Sequence, residues 1–338
     1  MIRFPKISIV IPMYNAEHFI RTTIDSILTQ TFENFELIIV DDCSTDRSYD
    51  LINSYSDSRI KLFRRARNLG RSSARNFGLD LSSGKYIYFM DHDDAILPQT
   101  LEIFHNAAEE LQSDVIYMNS FFETKAQNFS LDSDIEVEKH FSRDATPRIL
   151  SQNLVDRLQA EYIFGGTMVN TWIRFSRRKC LIDNGIFFPI LPRNEDGLVH
   201  LATLCLVKNI QVIDACCYIH HEHSSNAMSQ SADKQMKLTL ESLVPATKYM
   251  ENILAKTDLS RENRVMIETF TLKEMIRWLI VQKAYAGEMQ FDAIDDLLNQ
   301  NLELDQKTSQ ILFHVIALVM KWIYCRSGES IFELKGEI

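Results

Sequence analysis

Apolar runs and helix-type repeats alternate through the first 120 residues of the chain. The segment Ile7–Met13 is almost continuously apolar and rich in β-branched residues, as expected of a strand buried on both faces. The same pattern predicts strands at Ile7–Met13, Glu36–Val40, Ile60–Phe63, Lys85–Met90 and Asp114–Met118, and helices at Glu17–Gln30, after Gly70 and at Leu101–Leu111. Alternation at this spacing predicts βαβ units in a mainly parallel sheet, which is an α/β fold.

The pattern changes after the fifth predicted strand. Residues Phe121–Pro147 are polar and weakly periodic, which favours a loop, and Val155–Ile219 mixes short strands with loops. Helical periodicity returns from about Asp233 onward. We therefore expect an α/β domain over residues 1–229 and a C-terminal helical region over residues 230–338.

Polar clusters follow three of the predicted strands at the point where each strand ends. Tyr14-Asn15 follows the first strand, Asp41-Asp42 the second, and Asp91-His92-Asp93-Asp94 the fourth. In parallel sheets, ligands bind beyond the carboxyl ends of the strands, so these clusters should face one crevice.

The cluster after the fourth strand carries three carboxylates within four residues. Such groups repel one another unless a cation or strong hydrogen-bond donors are present. Their hard oxygen ligands suit Mg²⁺ or Mn²⁺ that also binds phosphate oxygens. The alternative is a solvated turn in which the aspartates cap the next helix.

Composition narrows the classes of function. The 338 residues carry 36 Lys and Arg against 46 Asp and Glu, a net charge of −10. This acidity argues against nucleic-acid binding. The six cysteines show no CxxC pair, no signal peptide precedes the first strand, and no apolar run is long enough for a membrane span, so we expect a cytoplasmic protein.

Four motifs occur in order within the predicted α/β region. They read ISIVIPMYN at Ile7–Asn15, ELIIVDDCSTD at Glu36–Asp46, NLGRSSARNFGL at Asn68–Leu79 and GKYIYFMDHDD at Gly84–Asp94. This set resembles the family-2 glycosyltransferases closely over about the first 120 residues, and more weakly through Trp172–Phe188 to the pair Glu195-Asp196. The dinucleotide signature GxGxxG is absent after the first strand, which counts against a dehydrogenase.

The resemblance implies a Rossmann-like GT-A fold of three layers and a hexosyltransferase that inverts the sugar it transfers. It also implies that Pro12 and Tyr14 line the base pocket and that Asp42 accepts a hydrogen bond from the base. Seven positive charges and no acidic residue lie between Arg59 and Arg75. Of these we expect Arg71, with Arg75 as a further candidate, to lie beside the base or the diphosphate, because arginine suits phosphate oxygens.

The resemblance also implies a metal site for Mn²⁺ or Mg²⁺. Asp93 would ligate the cation that bridges the diphosphate, Asp91 would contact the ribose or the metal, and Asp94 would lie close to the donor sugar. Some relatives complete such a site with a histidine, for which His220 and His223 are the candidates here. A pair of surface histidines is an equal alternative.

Inversion requires a general base to take the acceptor proton. By resemblance we expect Asp196 to be that base and Glu195 to help orient the acceptor, although such a pair often caps a helix instead. Cys43 stands where glycine is most frequent in the family, and we expect the turn to require only a small residue.

The resemblance implies a UDP-sugar donor and a glycan or glycolipid acceptor in bacterial surface polysaccharide, capsule or lipopolysaccharide synthesis. Two alternatives stay open: transfer to polyprenyl phosphate, and a non-catalytic nucleotide-sugar binding protein on the same fold. The apolar segment Ile311–Tyr324 could lie against the inner face of the cytoplasmic membrane, be a buried helix, or form a homodimer contact.

Overall fold

The computed structural model describes residues 4–124, 138–141, 148–154, 156–157, 169–192, 194–222, 232–261, 264 and 267. Its strands are β1 (Ile7–Met13), β2 (Phe35–Asp41), β3 (Ile60–Arg64), β4 (Tyr86–Phe89), β5 (Ala95–Ile96), β6 (Val115–Thr124), β7 (Glu138–Phe141), β8 (Arg148–Ile149), β9 (Arg174–Arg177) and β10 (Ile210–His221). Its helices are α1 (Ile20–Leu28), α2 (Ser48–Asn53), α3 (Arg71–Leu81), α4 (Thr100–Glu110), α5 (Arg178–Asn184), α6 (Glu195–Leu206) and α7 (Ala232–Leu254), with a 3-10 turn at Thr171–Ile173.

The strands form one sheet in the order β3-β2-β1-β4-β9-β6-β10-β5, with β7 beside β6 and β8 beside β10. The half from β3 to β4 is parallel throughout, as predicted. Beyond β4 the sheet is mixed, because β9 runs antiparallel to both β4 and β6. Strand β10 is again parallel to β6. The predicted parallel pairing therefore holds from β3 to β4 and again between β6 and β10, and the remaining pairs of the sheet are antiparallel.

Helices cover both faces of the sheet and make it the middle of three layers. Ile9 of β1 lies beside Tyr88 of β4, so their side chains share a face, and Tyr88 contacts Phe104 of α4. The neighbouring residue Val10 points to the other face. There it meets α3 at Gly78, where a Cβ atom would overlap the Val10 side chain. All seven residues of β1 are buried, which explains its apolar sequence.

Two segments predicted as loops are parts of strands. Strand β6 continues to Thr124, so Phe121–Thr124 is extended, and β7 also lies within the predicted loop. Beside it, His220 lies in β10, which pairs with the extended part of β6 and brings His220 opposite Glu123.

A buried carboxylate ties the strands together at the end of the sheet opposite to the polar clusters. Glu36 accepts hydrogen bonds from the Ser8 hydroxyl at 2.5 Å, the Ser83 amide at 2.7 Å and the Lys61 ammonium at 2.5 Å. Burial raises the pKa of the Glu36 carboxyl, but the hydrogen bonds from Lys61, Ser8 and Ser83 outweigh it and leave the pKa lowered.

The chain has two compact units. One comprises Met1–Ile190 with Glu195–Ser229, and the other Leu191–Asn194 with Gln230–Ile338. The first contains the sheet, and the second contains α7. Within the part of the chain that the structure describes, no helix is both long and apolar enough to cross a membrane. The segment Ile311–Tyr324, predicted to be helical, lies outside the described residues.

Candidate active site

The loops that follow β1 and β2 are bonded to each other at the carboxyl edge of the sheet. The two strands end level, with Met13 opposite Asp41. Asn15 then donates its amide to the Ser44 hydroxyl at 3.0 Å, and its side-chain oxygen accepts from the Thr45 amide at 2.9 Å. These bonds hold both loops in one arrangement beside the crevice.

The turn after β2 requires a left-handed backbone. Cys43 has φ of +69°, a conformation that favours glycine, and Asn15 in the facing loop has φ of +50°. The expectation that this turn requires only a small residue is therefore wrong, because its requirement is a positive φ. Backbone strain of this kind clusters at functional sites.

Asp42 joins β2 to the loop before α3. Its carboxylate accepts from the Leu69 amide at 3.0 Å and the Gly70 amide at 2.7 Å, and it pairs with Arg65 at 3.3 Å. Gly70 has φ of +85°, a left-handed conformation that favours glycine, and in this conformation its amide reaches the Asp42 carboxylate. Asp42 thus fixes the loop before α3 at the carboxyl edge of the sheet, and its contact with a base stays a prediction.

The two residues predicted to line the base pocket differ in exposure. Pro12 is buried within β1, and its carbonyl oxygen lies 3.2 Å from Nδ1 of His92. Tyr14 follows the strand and is 42% exposed. Of these two residues, Tyr14 is therefore the one whose side chain faces solvent, and both roles stay predictions.

A buried arginine joins the two acidic motifs. The side chain of Arg75, only 1% exposed, bonds to Asp91 at 2.7 Å, to Glu195 at 3.1 Å and to Asp196 at 3.0 Å. Burial lowers the pKa of the Arg75 guanidinium, but the carboxylates of Asp196, Asp91 and Glu195 outweigh it and raise the pKa on balance. The loop after β4 and the start of α6 are therefore joined through the guanidinium group of Arg75.

Arg71 reinforces this cluster from the first turn of α3. Its guanidinium pairs with Glu195, which raises the pKa of Arg71. Arg71 lies at the edge of the cluster, since its side chain is 48% exposed, whereas that of Glu195 is 1% exposed. A contact between Arg71 and a base or diphosphate stays a prediction.

The two carboxylates at the start of α6 differ in access. Both oxygens of Glu195 are bonded to arginine, Oε1 to Arg75 and Oε2 to Arg71. A direct contact between Glu195 and an acceptor would require its pair with Arg71 to open. The Asp196 side chain is 27% exposed and also accepts from the Thr171 hydroxyl at 2.6 Å. The predicted roles, with Asp196 as base and Glu195 orienting the acceptor, stay predictions.

Asp94 anchors the acidic loop to β10. Its carboxylate accepts from the Tyr218 hydroxyl at 2.5 Å and the His221 amide at 2.8 Å. Burial, together with the charges of Asp93 and Asp91, raises the pKa of Asp94 well above its ordinary range. The Asp94 residue is only 2% exposed, and its contact with a donor sugar stays a prediction.

The residues predicted to hold a metal lie on two elements. Asp91 and Asp93 follow β4 and are half-buried, whereas His220 lies on β10. Nδ1 of His220 lies 3.5 Å from a Glu123 oxygen, and its ring stacks on Trp172 at 5.8 Å. His223 lies outside the described residues.

Taken together, these side chains do not form a ready-made metal site. Across the described ranges, no three His, Cys, Asp or Glu side chains are arranged to hold a metal ion. Asp91 and Asp93 by themselves fit a cation that takes its remaining ligands from phosphate and water, as Mg²⁺ usually does.

The sequence did not point to three contributors to this site. Thr171 begins the 3-10 turn before β9, and Tyr218 and His221 lie on β10. Their partners, Asp196 and Asp94, are far away along the chain, so no spacing signals the contacts. The nearby aromatic stack of Trp172 on Tyr218, at 4.2 Å, likewise forms only in the folded sheet.

Comparison with solved structures supports the fold. The structure of S. aureus TarS 1-349 in complex with UDP-GlcNAc matches with a TM-score of 0.70 at 20% identity, covering 96% of this chain and 93% of that chain. At this identity the likeness shows the fold alone. It confirms the predicted Rossmann-like GT-A fold.

Curated relatives are glycosyltransferases. GlyA of Streptococcus pneumoniae is 26% identical over 253 residues, which cover 73% of this chain and 35% of GlyA. EpsJ of Bacillus subtilis is 29% identical over 225 residues, which cover 66% of this chain and 62% of EpsJ. WfgD of Escherichia coli, a UDP-Glc:alpha-D-GlcNAc-diphosphoundecaprenol beta-1,3-glucosyltransferase, is 43% identical over 97 residues, which cover 29% of this chain and 38% of WfgD. The chain spans less than two-thirds of the length of each of these relatives.

The family model described as Glycosyl transferase family 2 matches residues 8–176, which is half of the chain. This range covers the four motifs of the α/β region, except for Ile7 at the start of the first, and extends through the 3-10 turn into β9. A match of this extent places the chain in glycosyl transferase family 2.

Proposed function

We propose that this glycosyltransferase moves a sugar from a UDP-sugar to a hydroxyl group of a glycan or glycolipid acceptor. Transfer inverts the anomeric carbon and depends on Mn²⁺ or Mg²⁺. The product belongs to a bacterial surface glycan, that is, a polysaccharide, a capsule or a lipopolysaccharide. The observation that carries the proposal is the convergence of Asp91 and Asp196 on Arg75, since one residue belongs to the predicted donor loop and the other is the predicted base.

The reaction joins the acceptor oxygen to the anomeric carbon. The bond from that carbon to the diphosphate oxygen breaks, and its electron pair leaves with UDP. The acceptor proton must go to a base on the side opposite to the leaving group. Asp196 takes this role, because its side chain is partly exposed whereas that of Glu195 is buried between two arginines.

Asp91 and Asp93 would hold the cation in this proposal. Both lie on the loop after β4, and their oxygens are the hard ligands that Mg²⁺ and Mn²⁺ accept together with phosphate oxygens. When bound, the cation offsets the negative charge that develops on the departing diphosphate. Arg75 donates to Oδ1 of Asp91 at 2.7 Å and so helps fix the orientation of that carboxylate.

Similar proteins support the donor and acceptor classes. The TarS structure contains UDP-GlcNAc, and the name of WfgD describes transfer from UDP-Glc to a sugar on diphosphoundecaprenol. A lipid-linked acceptor of that kind would place the chain at the inner face of the cytoplasmic membrane. The C-terminal region of residues 230–338 would make any peripheral contact with the membrane, or any dimer contact.

The experiment is a turnover screen of UDP-sugars with Mn²⁺ or Mg²⁺ against glycan and glycolipid acceptors. We expect Asp196→Asn to lower kcat by about 100-fold or more while UDP binding persists, because a base contributes at this scale. Asp93→Asn should remain folded and lose the turnover that Mn²⁺ or Mg²⁺ supports. Asp80→Asn, which changes an exposed carboxylate of α3, is the matched control and should turn over normally.

Three outcomes contradict the proposal. Full turnover by Asp93→Asn would exclude the metal role of that residue. Loss of UDP binding in Asp196→Asn would exclude its assignment as base. Absence of transfer or hydrolysis of every UDP-sugar would favour the non-catalytic binding protein on the same fold.

A further inference from the structure

We propose that Thr171 is a positioning residue that orients the catalytic base, so that only one oxygen of Asp196 faces the acceptor. The inference rests on the proposed function, because it concerns how the base of that reaction is held. Thr171 begins the 3-10 turn Thr171–Ile173, which directly precedes β9. It lies outside all four motifs of the family resemblance.

The hydrogen bonds to Asp196 are asymmetric. Oδ1 accepts from the Thr171 hydroxyl at 2.6 Å and from Nη1 of Arg75 at 3.0 Å. Between the described residues, no hydrogen bond reaches Oδ2. The side chain is nevertheless 27% exposed, so the carboxylate has an open side. Oδ2 is therefore the oxygen available to a hydroxyl group that approaches from the crevice.

Thr171 and Arg75 hold Oδ1 in different ways. Arg75 is shared among three carboxylates, and its position is set by all of them. Thr171 is 1% exposed, and Asp196 is the partner to which its hydroxyl donates. A hydroxyl group has one proton to donate, so this bond fixes the rotation of the Thr171 side chain as well as that of the carboxylate.

The consequence for the reaction is directional. As the acceptor oxygen bonds to the anomeric carbon, its proton moves to Oδ2 of Asp196, and the pair of electrons from the broken glycosyl bond leaves on the UDP oxygen. Asp196 ends the step as a neutral carboxylic acid, still bonded through Oδ1. Without Thr171, the carboxylate can rotate about the Arg75 contact, and the fraction of molecules with Oδ2 in line falls.

The test compares Thr171→Val, which keeps the shape and removes the hydroxyl, with Thr171→Ser, which keeps the hydroxyl. We expect Thr171→Val to lower kcat by about 10-fold or more, with the KM for UDP-sugar and the affinity for UDP unchanged. Thr171→Ser should restore most of kcat. Thr203→Val is the matched control, because Thr203 is a buried threonine of α6 whose hydroxyl donates to the Val199 carbonyl oxygen. It should leave kcat unchanged.

Several results would overturn the inference. These are a kcat of Thr171→Val within about twofold of the unsubstituted protein, a loss of UDP affinity in that variant, or a Thr171→Ser variant as slow as Thr171→Val. Failure of the proposed function looks different, since the unsubstituted protein would then turn over no UDP-sugar.

The contact itself can be measured without activity. The unfolding midpoint of Thr171→Val/Asp196→Ala should fall less than the two single changes together, because each removes the same hydrogen bond. Additive shifts would show that the two side chains are not coupled. That result would overturn the inference whatever the activity of the protein.

Discussion

Replacing Arg75 with methionine tests whether one buried guanidinium holds the acidic motifs together. The change removes the charge and the hydrogen bonds to Asp91, Glu195 and Asp196. Methionine is of similar length and can still pack against Phe188, but it also loses the cation–π contact of the Arg75 guanidinium, which lies 5.1 Å from the Phe188 ring. The effect measured is therefore mainly that of the lost cation.

The magnitude follows from the burial of the three partners. The Asp91 and Asp196 side chains are 33% and 27% exposed, so water can solvate them once Arg75 is gone. Glu195 is buried and retains only Arg71. Leaving one buried charge short of its partner costs about 3–5 kcal/mol, and we expect the lower half of that range because Arg71 remains. This is a large share of the roughly 5–15 kcal/mol that stabilises a folded protein.

The assay is urea unfolding monitored by circular dichroism, with Arg71→Met as the matched control. Arg71 also pairs with Glu195, but it is about half exposed, so its loss should cost no more than about 1 kcal/mol. Combining Arg75→Met with Glu195→Gln removes the stranded charge. The double variant should therefore be more stable, by about 1 kcal/mol or more, than the sum of the single changes implies.

Two results would refute this reasoning. If Arg75→Met costs less than about 1 kcal/mol, the guanidinium contributes no more than a surface ion pair. If the double variant is simply additive, Arg75 and Glu195 are not coupled, and the cluster does not act as a unit.

Two further predictions concern stability away from this cluster. Cys43→Gly should raise the free energy of unfolding by about 0.5–1 kcal/mol in urea titrations, because φ of +69° strains cysteine but not glycine. The same change at Cys180, inside α5, should lower it by about 1 kcal/mol, and a loss at Cys43 would contradict the strain. Burial raises the pKa of Glu36, but the hydrogen bonds from Lys61 and Ser8 lower it more, and the pKa falls below its ordinary value of 4.5. Glu36 therefore stabilises the fold fully above that pH. The stabilisation is lost as the pH falls through the pKa of the folded state. The unfolding midpoints of the unsubstituted protein and Glu36→Gln should therefore converge from about pH 6 to about pH 3, and a constant gap would exclude this linkage.

The parallel half of the sheet could be predicted because strands buried on both faces have continuous apolar sequences. Every residue of β1 is buried, so the apolar run and the strand coincide at Ile7–Met13. The extension of β6 to Thr124 was missed, since Phe121–Thr124 becomes strand only through pairing with β7 and β10. Such pairing depends on residues far away in the chain, and local periodicity does not report it.

The candidate site divides in the same way. Asp42, Asp91 and the Glu195-Asp196 pair could be named because each follows a strand or begins a helix within a recognisable motif. The left-handed backbone at Cys43 was misjudged, since a φ angle leaves no mark on the identity of a cysteine. The bond from Thr171 to Asp196 joins positions 25 residues apart and has no signature in composition or spacing.

The cluster around Arg75 also has an electrostatic consequence. The cluster has three carboxylates, from Asp91, Glu195 and Asp196, and two guanidinium groups, from Arg71 and Arg75. With Asp93, which lies in the same loop as Asp91, there are four negative charges against two positive ones, a formal excess of two negative charges. One divalent cation would neutralise this excess. A nucleoside diphosphate that arrives without a cation deepens the excess, and its affinity should fall accordingly at low ionic strength, where screening is weakest.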